Sequence, residues 1–177
     1  MSVHGFELFP NHTLTVIVYN NVTKSNEIIK QLQERDLSVA VLKTKCVASL
    51  FTLLSAANRA LHNAVNDQLK TRALESELLY NLSSSHSISY AFKTFGVGED
   101  SNSVVACIFN ATEESTRALD EIIMGDRVEE TVIDEMGAEK VELLTKLYKI
   151  KPEDLVHRSL SNAINNILSI RNVKSRK

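Results

Sequence analysis

The stretch VASLFTLLSAANRALHNAVN, residues 47–66, is the most strongly periodic segment of the chain and decides how the rest is read. Its apolar positions 47, 50, 51, 54, 57, 61, 64 and 65 recur at three- and four-residue steps, the spacing that lines one side of a helix. This predicts a buried helix. Beside that face, Ser55, Arg59, His62 and Asn66 follow at intervals of four, three and four, a polar strip with Asn58 at its edge. Lys70, Thr71 and Arg72 come just past the helix end.

Working outward, TLTVIVY (13–19) is β-branched and apolar enough for a buried strand, preceded by a turn-like Pro10-Asn11. SNEIIKQLQER (25–35) changes period, with Ile28, Ile29 and Leu32 on one face and Thr23 or Ser25 as N-cap. LSVAVL (37–42) returns to strand, which gives a β-α-β opening. After the long helix, ESELLYNL (75–82) and SISYAFKTF (87–95) predict two short helices, the second capped by Ser87 and left through Gly96 in a left-handed conformation. SVVACIF (103–109) reads as a strand, EESTRALDEIIM (113–124) as a helix and DRVEETVI (126–133) as a further strand. A helix over 138–148 follows. The last helix is expected to open at Lys151-Pro152 and to carry Val156, Leu160, Ala163, Ile164, Ile167 and Leu168 on one face. Strands and helices mix without strict alternation, so the expectation is one α+β domain over residues 1–177, a small mixed sheet packed against several helices.

Composition narrows the function classes. Hydrophobic residues make up 44% and charged residues 24%, values typical of a globular protein with an ordinary core. With 20 Lys+Arg against 22 Asp+Glu the formal charge is −2, so any nucleic-acid binding must be local rather than driven by a global positive field. Cys46 and Cys107 form no CxxC and have no clustered histidine, which argues against zinc and fits a reducing compartment, cytoplasm or nucleus. No window approaches the roughly 18 apolar residues of a membrane span and MSVHGFELFP lacks a signal-peptide pattern, so no membrane partner is expected. The sequons at Asn11, Asn21, Asn81 and Asn110 carry no weight without a secretory route.

Catalytic motifs are lacking. GVGEDS (96–101) has neither GxGxxG nor GxxxxGK[ST] spacing, and there is no HExxH, GxSxG or kinase-like motif set. Paired acids such as Glu113-Glu114, Glu129-Glu130 and Asp134-Glu135 read as solvated surface. The polar strip leaves more open. Asn58, Arg59, His62, Lys70, Thr71 and Arg72 supply permanent cations, an imidazole, amide and hydroxyl groups, a set suited to phosphate oxygens, ribose hydroxyls and base edges. Equally, these residues can be the solvated side of an amphipathic helix, with Lys70 and Arg72 placed near its negative end. The last helix poses a similar choice between core packing and a partner, because Ile170 falls off its apolar face just before the basic RNVKSRK.

AANRALH (56–62), LKTRAL (69–74), SELLYNLS (76–83) and ISYAFKTFGV (88–97), in that order, together with FELFP (6–10) before the first strand, resemble the family of the kinase-binding subunit of the KEOPS complex, also called EKC, the TPRKB or PRPK-binding protein family. The likeness is clear over residues 1–110 and thin beyond. It implies a single α+β domain with no catalytic activity and no cofactor. It implies a partner, a small atypical kinase/ATPase held by its N-terminal lobe and stimulated, with the other KEOPS subunits reached indirectly. It also implies tRNA, recruited through its 3′ CCA end for threonylcarbamoyl-adenosine synthesis, and in yeast-like systems a link to telomeres and transcription. On this resemblance Asn58, Arg59, His62, Lys70, Thr71 and Arg72 become RNA contacts and Leu160, Ile164, Ile167 and Leu168 the kinase contact, the latter by helix character rather than by motif. The resemblance implies Thr or Ser in many relatives where this chain has Ala73, a departure that removes a helix cap or a hydroxyl contact. The rivals are an enzyme acting on a small nucleotide, with His62 as acid/base and Arg59 and Arg72 on phosphate, and a purely structural adaptor.

Overall fold

A computed structural model describes residues 1–99 and 101–174. Asp100, within the glycine-containing loop, and Ser175, Arg176 and Lys177, the end of the basic terminus, lie outside the described residues.

The organising strand is β2 (Phe9–Asn20), whose side chains alternate between two cores: Leu14, Val16 and Val18 enter one, Ile17 and Tyr19 the other. β1 (Ser2–Phe6) pairs with its first part, a strand that its polar, glycine-containing SVHGF did not announce. β3 (Ala40–Lys43) and β4 (Val104–Phe109) follow on the other side, in the order β1-β2-β4-β3. β5 (Asp126–Val128) meets β2 at Val18–Asn20, past the register of β1, so β1 and β5 lie end to end along one edge.

Every pairing is antiparallel, which corrects the expected mixed sheet. The β-α-β opening does exist, through α1 (Ile28–Glu34), but β4 is inserted between β2 and β3, so the two strands that run in the same direction never bond to each other.

Both faces of the sheet are covered, which is why VVACIF is apolar without alternation and buried throughout. α1 and α5 (Glu113–Ile122) close one face through Ile28, Leu32, Leu119 and Ile122. The other face carries α2 (Leu50–Val65), α3 (Leu74–Leu82), α4 (Ile88–Phe95), α6 (Ala138–Tyr148) and α7 (Leu160–Lys174). Thr112 and Ser115 form a reciprocal capping box at the start of α5, and Ser49 and Ser87 cap α2 and α4.

Several local expectations need correction. The strand read over 126–133 stops at Val128, and Glu130–Asp134 is a 3-10 turn. α2 buries Leu53, Ala56, Ala57, Ala60 and Leu61, a face turned away from the expected one, and leaves Phe51 67% and Val65 64% exposed. Small alanines let α2 lie close against α3, and a large ring in that seam would hold the helices apart. Gly96 is extended, with φ −65° and ψ 157°, and not left-handed; it is needed because a Cβ there would lie 2.6 Å from the carbonyl oxygen of Phe92. Pro152–Leu155 is a separate 3-10 turn, α7 starts only at Leu160, and Val156 is exposed before it. Finally, Ile164 and Leu168, expected at a kinase surface, are buried in the protein's own core, with Leu160 and Ile167 partly buried against it. Two of those four side chains therefore present no surface to a partner.

Candidate nucleic-acid interface

α2 ends at Val65 in a paired turn: Gln68 N donates to Asn63 O over 2.7 Å and Asp67 N to Ala64 O over 3.2 Å, with Asp67 left-handed at φ 52°. Asp in place of the usual Gly hid this turn from the sequence. It sends residues 68–72 back beside α2 and α3, and a cleft of about 560 Å3 opens there.

Asn58, Arg59, His62 and Lys70 all line this cleft, with Ser55 of the same polar strip. No Asp or Glu is among the described residues that line it. His62 and Lys70 are exposed and Asn58 and Arg59 are half-buried. Arg72 is exposed on the loop but outside the cleft wall. Asn66, the last of the strip, folds back to donate to the carbonyl of His62 over 2.7 Å.

Thr71 faces inward. Its N–H and its hydroxyl donate to one oxygen of Glu77 over 2.9 and 2.8 Å, the N–H of Lys70 reaches the same oxygen over 3.0 Å, and Asn63 Nδ2 donates to the other over 2.8 Å. Glu77 is fully buried in the first turn of α3, where the helix dipole favours an anion. At the start of that helix Ala73 provides no side-chain cap, as its identity led one to expect.

Arg59 Nη1 donates to the carbonyl of Leu168 over 3.0 Å. Burial first, and the like charge of Arg171 second, draw its pKa down, though a guanidinium stays charged at any ordinary pH. Arg171, 6% exposed, donates through Nη1 to the carbonyls of Tyr80 and Ser83 over 2.8 and 2.6 Å and lies 4.1 Å from the Tyr80 ring centroid. The half-buried Arg59 guanidinium in the cleft wall and the buried Arg171 guanidinium against Tyr80 thus give the cleft a positive background.

Sequence reasoning missed Leu8, Asn63, Gln68, Tyr80, Asn81 and His86, which complete the lining. Asn63 adjoins a recognised residue and was within reach of a helical wheel. Leu8 and His86 come from distant turns, and only the fold brings them in.

Among the described residues no group of three or more His, Cys, Asp or Glu side chains is placed to hold a metal ion, and no helix is long and apolar enough to cross a membrane. Cys46 and Cys107 are buried free thiols whose pKa values burial raises.

The chain as a whole is similar to known proteins. The chain is 31% identical over 170 residues to the EKC/KEOPS complex subunit TPRKB of Danio rerio, covering 94% of this chain and 95% of the relative. It is 30% identical over 167 residues to the EKC/KEOPS complex subunit cgi121 of Schizosaccharomyces pombe, covering 92% and 93%. A family model described as kinase binding protein CGI-121 matches residues 19–172, from the end of the central strand through nearly all of the last helix, including the thin C-terminal part of the resemblance. The protein is therefore a member of the CGI-121 family of kinase binding proteins.

Proposed function

We propose that this protein is the non-catalytic, kinase-binding subunit of an EKC/KEOPS complex, working in cytoplasm and nucleus, and that its α2 cleft receives the 3′ CCA end of a tRNA for threonylcarbamoyl-adenosine synthesis. The subunit role draws on the printed names of its relatives. The observation that carries the RNA role is the gathering of Asn58, Arg59, His62 and Lys70 around one cleft whose described lining holds no carboxylate. Amides read base edges and ribose, cations meet phosphate, and the cleft has room for one or two nucleotides. No cofactor is required under this reading.

The kinase would meet the outward flank of α7, where Leu160 and Ile167 are partly exposed and Ile170 is 43% exposed. No observation favours the nucleotide-acting enzyme: Arg72, which it needs beside His62, does not line the cleft.

The test is His62→Glu combined with Lys70→Glu, assayed for binding to intact tRNA, to tRNA lacking the CCA end, and to the partner kinase. Loss of the preference for intact tRNA with unchanged kinase binding supports the proposal. Unchanged tRNA binding refutes the cleft as its site and favours the adaptor.

A further inference from the structure

Glu77 is the least expected residue of this region, because a carboxylate removed from water without a cation costs more than a neutral group of the same shape. It is 0% exposed, and each of its four hydrogen bonds comes from a neutral donor: Asn63 Nδ2, Lys70 N, Thr71 N and Thr71 Oγ1. Three of the four reach two consecutive residues of the loop that bears Lys70 and Arg72, and the fourth reaches the last turns of α2. The stretch from Gln68 to Ala73 is otherwise a loop without helix or strand. One buried side chain thus ties α2, the loop and α3 together at the rim of the cleft.

We infer that Glu77 is the positioning residue of the cleft: its carboxylate holds the 68–72 loop so that Lys70 is already at the wall before RNA arrives. This rests on the RNA reading given above. A cation carried by a loose loop must be ordered at the moment of binding, and that ordering lowers affinity; a loop already held has made the sacrifice during folding. Anion and loop also fit electrostatically, since Glu77 sits at the positive end of α3 and its Oε2 is filled by N–H and O–H donors, leaving the Lys70 ammonium to the cleft.

The experiment compares Glu77→Ala, Glu77→Gln and Thr71→Val in the full chain, reading tRNA affinity, kinase affinity and amide hydrogen exchange at Lys70 and Thr71. Glu77→Ala is expected to weaken tRNA binding by about tenfold, the scale of ordering a loop with rotamer-rich side chains on binding. Exchange at the two amides should accelerate while kinase affinity and exchange within β2 stay unchanged. Glu77→Gln keeps an acceptor oxygen for Lys70 and Thr71 and should restore most of the affinity, which a general loss of stability would not predict. If Glu77→Ala fails to fold, Thr71→Val removes the hydroxyl, with its contacts to Glu77 and to the Ala73 carbonyl, but keeps both loop N–H bonds to Glu77, and should give a smaller loss with the same pattern. Unchanged tRNA affinity in the alanine variant, or amides still protected there, overturns the inference. Should His62→Glu with Lys70→Glu leave tRNA binding intact, the RNA reading is what fails, and the exchange data still judge whether Glu77 holds the loop.

Discussion

The Arg59 guanidinium and the Leu168 carbonyl are joined by a 3.0 Å hydrogen bond, so the polar face of α2 is stitched to the last helix. Arg59 therefore has a structural duty as well as a place in the cleft. Arg59→Ala should lower stability by about 1.5–3 kcal/mol, the usual worth of a hydrogen bond from a charged group, and weaken tRNA binding as well. Lys70→Ala should weaken tRNA binding with little effect on stability. Thermal unfolding and tRNA titration on the same preparations separate the two.

Salt provides a second check. A cleft reaching two or three phosphates releases few counterions, so log affinity should fall with log salt at a slope of about −1.4 to −2.1, taking roughly −0.7 per single-strand contact. Lys70→Ala should flatten that slope by about 0.7. Titrations across a salt series give both values; a slope unaltered in the variant removes Lys70 from the phosphate contacts.

Gly96 allows a prediction about packing alone. A Cβ at this position would meet the Phe92 carbonyl at 2.6 Å, and that carbonyl already accepts the N–H of Gly96 over 2.9 Å. Gly96→Ala must push the last turn of α4 outward, at about 1–3 kcal/mol. Chemical denaturation measures it. A left-handed glycine would have given a backbone penalty instead, and the observed φ excludes that cause.

Acid should act first on the sheet edge. Glu130 accepts from Ser2 Oγ and lies 2.9 Å from His4 Nε2, joining β1 to the segment after β5. Burial pushes its pKa up, but the bonds from Ser2 and His4 outweigh burial and hold it below the ordinary 4.5. The folded pKa being the lower one, this link stabilises the protein fully above the ordinary value and is lost as pH falls through the lowered one. Protection of the β1 amides, taken relative to their intrinsic exchange rates, should fall as the pH drops below the ordinary carboxylate value of 4.5, and Glu130→Gln should remove that pH dependence.

The fold's outline was legible where apolar period was strong. β2, β4, α2 and α5 stand close to where TLTVIVY, SVVACIF, the 47–66 helix and EESTRALDEIIM put them. Periodicity failed where it was asked for orientation. It ranked Phe51 and Leu54 above Ala56 and Ala60 as core residues, because it weighs hydrophobicity and not the closeness that only alanine permits between helices. Periodicity rightly set Ile164 and Leu168 on one apolar face, and it was the family resemblance that gave them to a partner, when the sheet face above β2 and β4 already required covering. The cleft was half visible, since Asn58, Arg59 and His62 share a helix face and Lys70 lies near in sequence. Glu77 was hidden for a physical reason: an acid in the first turn of a helix normally faces water, and only the returning loop makes it an internal anchor.

The insertion of β4 between β2 and β3 has a bearing on how the chain comes into being. During synthesis β1 and β2 can pair as soon as they emerge, but β3 has no strand partner until β4 is made, so the four-strand order β1-β2-β4-β3 cannot be completed until Phe109 has left the ribosome. Until then the apolar β3 and the alanine-rich helix wait without the central strand pair they pack on, the kind of exposed surface that invites aggregation or a chaperone.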